Sequence, residues 1–161
     1  MRRALSVLLT AGSLLAATAC AAPGNPEVTF YADGKTVTVK PTQYCDVKSE
    51  DCDVDPRATG VLRVRPGRTV QISVPGELAN SAWSVKFTYR NAAGEAQEPL
   101  RSRLFTERDP KYAYSLVLPN RDDQLESVEV QQYGARIEAG TAGGAFDFVA
   151  RGTWVLSVDD R

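Results

Sequence analysis

Three cysteines, no histidine and 20 carboxylates bound the chemistry open to this 161-residue chain. Without an imidazole there is no His-activated nucleophile, no imidazole acid or base, and none of the commonest nitrogen ligands for zinc. Cys45 and Cys52 are close enough to form a local bridge in an exported chain. Such a bridge closes a loop of eight residues, worth about 2.5 kcal/mol in the chain-entropy picture. Cys20 is then the odd thiol. It follows Ala17-Thr18-Ala19, at the end of an apolar stretch (residues 4–17) that begins behind Arg2 and Arg3. Basic start, apolar run and small residues before a cysteine make a signal peptide with a lipid-attachment site. Ala17 stands where a larger aliphatic residue is more usual, so plain cleavage near Ala19 or Ala22 is the alternative. The apolar run is shorter than the roughly 20 residues that span a bilayer.

Two further clusters carry charge. Asp46, Glu50, Asp51, Asp53 and Asp55 alternate around the cysteine pair, and closely spaced carboxylates on a loop are what calcium requires. The calcium-loop pattern fails, because Pro56 occupies the glycine position and Leu62 the bidentate glutamate position. A solvated acidic loop without metal is the reading. The second cluster is cationic: Arg63 and Arg65, Lys86 and Arg90, and Arg101 and Arg103 sit at polar positions of three extended segments. If those strands are neighbours, the six form one binding patch for an envelope protein, anionic lipid or anionic polymer. Each cation then adds up to about 1 kcal/mol beside an anionic surface; otherwise they cover a polar sheet face and discourage edge pairing. With the cysteines bridged or lipidated and no phosphate-binding glycine loop, no catalytic residues and no cofactor are assigned.

The elements that position these groups are strands. Residues 28–31 and 35–40 flank Asp33-Gly34, and residues 62–65 and 69–74 flank Pro66-Gly67; both pairs are turn signals. Trp83, Val85, Phe87 and Tyr89 alternate with Ser84, Lys86, Thr88 and Arg90. Further strands are expected over residues 100–105, 112–118 and 125–133. The last, from Phe146, places Phe148, Ala150, Gly152, Trp154, Leu156 and Val158 on one face, with Gly152 marking a bulge. About nine strands without intervening helices predict an all-β, antiparallel immunoglobulin-like β-sandwich behind the signal peptide. Both cysteines precede Trp83, so the inter-sheet bridge of antibody domains is absent. The expected division is residues 1–19 signal peptide, 20–26 a short tether and 27–161 the sandwich.

Val28-Thr29-Phe30-Tyr31-Ala32-Asp33-Gly34, Pro41-Thr42-Gln43-Tyr44-Cys45-Asp46, Val130-Gln131-Gln132-Tyr133-Gly134 and Thr153-Trp154-Val155-Leu156-Ser157-Val158-Asp159-Asp160 resemble the actinobacterial lipoproteins grouped as domain of unknown function 2771. The resemblance spans nearly the whole mature chain. It implies a lipoprotein address and a cysteine pair, and supplies no activity.

Removing Arg2 and Arg3 leaves 17 basic against 20 acidic residues, a net charge of −3, which gives no electrostatic reason to expect nucleic acid. The functional expectation is a monomeric, non-catalytic interaction module, lipid-anchored on the outer face of the cell membrane. The alternative is a small-molecule or lipid carrier with a pocket between or at the end of the sheets. A hydrolase using carboxylates alone ranks last.

Overall fold

The computed structural model describes residues 24–139 and 146–159. The expected signal peptide, Cys20 and the Gly/Ala-rich loop of residues 140–145 lie outside the described residues. The chain is all-β and its strands form an antiparallel sandwich. One sheet holds β1 (Val28–Ala32), β2 (Lys35–Val39), β6 (Val70–Ser73) and β9 (Ala113–Leu116), in the order β2-β1-β6-β9. The other holds β3 (Gln43–Cys45), β4 (Cys52–Val54), β5 (Gly60–Arg63), β7 (Trp83–Arg90), β8 (Leu100–Arg101), β10 (Gln124–Ala139) and β11 (Phe146–Asp159). Its order is β4-β3-β11-β10-β7-β8, with β5 also paired to β11. That β5–β11 pairing is parallel and departs from an otherwise antiparallel ladder.

Period-two alternation builds the core. Trp83, Val85, Phe87, Trp154 and Leu156 are buried, as their alternation requires, and face Val28, Phe30, Val70, Ile72 and Leu116. The expected strand over residues 100–105 is cut short at Arg101. There Ser102 Oγ accepts the Val85 N–H at 3.0 Å, replacing a ladder carbonyl. Pairing resumes only at the isolated Trp83–Phe105 bridge. Two strands escape the alternation pattern, since β3 and β4 are three residues each and carry polar side chains. A one-turn helix, α1 (Gly76–Ala79), also goes unanticipated; it buries Leu78 and Ala79 and is too short to show a helical period.

Pro66-Gly67 makes a turn, but the strands it joins belong to different sheets. Gly67 has φ +66°, and a Cβ there would stand 1.9 Å from the Arg121 carbonyl oxygen, so the crossover admits no side chain. The last strand is not one continuous face. Gln132 pairs with Gly152 and Tyr133 with Ala150, which leaves Arg151 as an extra residue in β11. An extra residue reverses the alternation. Gly152, Trp154 and Leu156 point inward, whereas Phe148 stands 52% exposed beside Tyr133 on the outward face.

Gly152 is required by its neighbour two residues on. The Trp154 ring folds back so that a Cβ at Gly152 would lie 2.8 Å from Trp154 Cη2 and 3.1 Å from Tyr44 Cδ2. Gly152→Ala is therefore expected to lower stability by about 1–3 kcal/mol through overpacking. Urea unfolding followed by tryptophan fluorescence checks this; an unchanged midpoint would contradict the packing.

Candidate functional site

The β1–β2 turn places Asp33 at φ +49°. Its side chain, 14% exposed, points at the crossover between β5 and β6. Asp33 Oδ1 accepts from Arg65 Nη2 at 2.8 Å, and Oδ2 accepts the Arg65 backbone N–H at 3.0 Å. Arg68 Nε lies 3.1 Å from the same carboxylate. The Arg65 side-chain hydrogen bond, with its backbone N–H second, holds the Asp33 carboxyl down at about 2. Lys35 and Arg63 complete the rim of a concavity of about 260 Å³ with Asp33 and Arg65. A second, of about 380 Å³, adjoins it and adds Tyr31, Arg68 and Thr69.

The six cations singled out in the sequence are not brought into one patch. Arg63 and Arg65 meet at this turn. Lys86 and Arg101 stand opposite each other across β7 and β8, and strands β10 and β11 separate them from β5. Arg90 pairs with Glu126 farther along β7. Arg103 pairs with Asp109 at 2.7 Å and lies 4.8 Å over the Phe105 ring.

Around Arg101 the outward face of the large sheet carries a connected polar network. Arg101 Nη1 donates to the Tyr133 hydroxyl at 3.0 Å, and that hydroxyl donates to Gln131 Oε1 at 2.8 Å. Ser84 Oγ, nearly inaccessible, lies 2.7 Å from the same hydroxyl. Gln131 Nε2 then reaches Glu129 Oε1 at 2.8 Å. These bonds hold a guanidinium and a carboxylate in fixed places. The hydroxyls contact each other, a guanidinium and an amide, and among the described residues no base is hydrogen-bonded to Ser84 to activate it as a nucleophile.

The cysteine pair staples β3 to β4, with Cys45 and Cys52 directly opposite in register. Its acidic residues are used by turns. Asp46 accepts the Glu50 N–H at 2.9 Å, which lowers its pKa. Asp55 caps the 3-10 turn Pro56–Ala58 and bonds Arg57, whose side chain does most to lower the Asp55 pKa. Among the described residues no three carboxylates or cysteines converge as metal ligands.

The chain enters the domain beside this hairpin. Trp154 Nε1, buried, donates to the Pro26 carbonyl at 2.8 Å. Gly24 and Asn25 lie against Glu27, Lys40, Asp53 and Asp55 on one side, and Asn25 against Asp46, Asp51 and Arg151 on the other. Sequence reasoning missed Asp33 as an organiser of cations, along with Lys35 and Arg68. Asp33-Gly34 signals a turn, but nothing local signals that its partner lies 32 residues away.

The Asp33 interaction has a defined pH window. Its carboxyl sits at about 2 when folded and near the ordinary value of about 4 when unfolded. Its stabilisation is therefore complete above pH 4 and lost as pH falls through 2. Asp33→Asn is expected to be less stable than the parent at pH 7, with the difference shrinking below pH 4 and vanishing near pH 2. Chemical unfolding at pH 7, 4 and 2 checks this; a pH-independent difference would contradict it.

Comparison with known proteins places these features in a family without assigning them a task. Uncharacterized proteins from Mycobacterium bovis and from two strains of Mycobacterium tuberculosis are 31% identical over 102 residues, 63% of this chain. The matched region is 58% of each relative's length. The family described as "Protein of unknown function (DUF2771)" matches residues 21–158, nearly the whole sandwich with the segment leading into it, and the chain belongs to that family.

Proposed function

We propose that this protein is an exported, lipid-anchored and non-catalytic interaction module, held on the outer face of the membrane to engage an envelope component. The observation that carries the reading is the Trp154–Pro26 hydrogen bond, taken together with Cys20 six residues upstream of Pro26. Six residues reach roughly 20 Å when extended. A diacylated Cys20 would therefore hold this end of the sandwich close to the headgroups, and two acyl chains suffice for stable anchoring.

The binding role is supported by what the polar groups do. Asp33, Asp46 and Asp55 are engaged with arginines or backbone N–H groups. Cys45 and Cys52 are bonded to each other, and the sequence has no histidine. The carrier alternative finds less support. The space between the sheets is filled by Trp83, Trp154, Phe30 and Ile72, and a concavity of about 700 Å³ beside Ala82 and Gly134 is lined in part by Glu107 and Arg108.

Fractionation of cells producing the full chain tests the address. The wild type is expected in the membrane pellet, with a mature N-terminal Cys20 carrying acyl mass by mass spectrometry. Cys20→Ser should be released or remain as uncleaved precursor. An unmodified N-terminus at Ala21 or beyond would overturn the anchored reading.

A further inference from the structure

We infer that the cationic depression formed by Lys35, Arg63, Arg65 and Arg68 is a binding site for a phosphate-bearing polymer, carried on the pole of the domain that faces away from its own membrane. The orientation rests on the anchored reading of Cys20; the anion site rests on geometry alone.

The two ends of the sandwich are chemically unlike. At the entry end, the concavities beside Asn25 are lined by Glu27, Asp46, Asp51, Asp53 and Asp55 against Lys40 and Arg151. β1 then runs from Val28 to Ala32, a rise of roughly 13 Å at about 3.3 Å per residue, before Asp33 turns the chain. Four cations gather at that far end. Among the described residues, Asp33, engaged with Arg65 and Arg68, and Asp159, opposite Arg63 in register, accompany them, and the loop of Asp122 and Asp123 reaches the crossover where the Gly67 N–H donates to the Asp123 carbonyl.

The cations come from two elements that no local sequence signal links. Lys35 belongs to the β1–β2 hairpin, whereas Arg63, Arg65 and Arg68 belong to β5 and the crossover behind it. Asp33 ties two of them together, accepting from Arg65 and lying 3.1 Å from Arg68 Nε as an ion pair, which sets two guanidinium groups beside one carboxylate. Converging cations from separate elements suit a phosphate, whose terminal oxygens diverge from one plane and accept from several donors.

The exposure of the site selects a polymer over a single anion. Arg65 and Arg68 are 59% and 55% exposed, and an exposed ion pair contributes only about 0.2–1 kcal/mol. One isolated phosphate would be weakly held. The depression is double, however, with concavities of about 260 and 380 Å³ that share Asp33 and Arg65 in their linings. A chain of phosphates can occupy both and gain by effective concentration.

The test uses the full mature protein in phosphatidylcholine vesicles, with fluorescent inorganic polyphosphate as the probe. Saturable binding that weakens at least fivefold between 50 and 300 mM salt is expected, because screening shortens the reach of exposed charges. K35A/R63A/R68A should weaken binding at least roughly fivefold while keeping the parent's thermal midpoint within a few degrees. Arg63→Lys with Arg68→Lys should retain most of the affinity. A charge-matched control, K40A/K48A/R108A, should bind as the parent does. Equal loss in both triple variants would reduce the effect to net charge and overturn the site. Capture of added phosphatidylglycerol vesicles at lower phosphate concentration than polyphosphate would overturn its assignment to a polymer. Binding that survives the site variants would also defeat the inference, leaving the anchored reading intact. An unmodified Cys20 would defeat the anchoring and orientation alone.

Discussion

The packing of Trp154 is the constraint on which the rest of the molecule depends. Its indole is fully buried, lies over Gly152 and meets Tyr44 edge-on at 6.1 Å. Its ring N–H is satisfied by the Pro26 carbonyl. A buried ring N–H left without a partner would cost about 1–3 kcal/mol, so the chain entry and the central strand of the large sheet are locked to each other. Tyr44 in turn brings β3 alongside and, disulfide-bonded to it, the edge strand β4. One side chain thereby determines where the chain enters, where the acidic hairpin sits and where β11 must bulge.

From that constraint the two ends of the sandwich acquire different characters. The bulge at Arg151 turns Phe148 outward on the entry side, near the stapled hairpin. Beyond Leu156 the same strand runs on to Asp159, beside Arg63 and the parallel β5. The small sheet answers with the Asp33 turn, whose carboxylate spans from one sheet to the crossover of the other. The outward polar network through Tyr133 links β7, β8 and β10 across the broad face of the large sheet.

The legible parts of the fold are those in which local pattern and tertiary burial agree. Trp83 to Tyr89 alternate without interruption, and β7 follows that alternation. Asp33-Gly34 gave its turn for the reason Asp and Gly tolerate positive φ. The cysteine spacing matched the observed bridge. Three features were hidden because their causes are distant in sequence. The Arg151 bulge exists to seat Trp154 against Gly152 and to continue the pairing with β10. Pro66-Gly67 reads alike whether it closes a hairpin or carries the chain between sheets; the contact with Arg121 decides which. The grouping of Lys35 with Arg63 and Arg65 depends on β2 packing against β5 of the other sheet, a contact between elements distant in sequence.

The central claim is that the domain stands on its membrane with the stapled acidic hairpin inward and the Asp33 turn outward. Energy transfer from headgroup dyes to a fluorophore, placed without cysteine chemistry at Lys35 or at Lys48 in the full mature protein, measures this most directly. The account predicts that position 35 lies farther from the headgroups than position 48 by roughly 20 Å, the length of a five-residue strand and its turn. Equal distances, or position 35 the nearer, would contradict it.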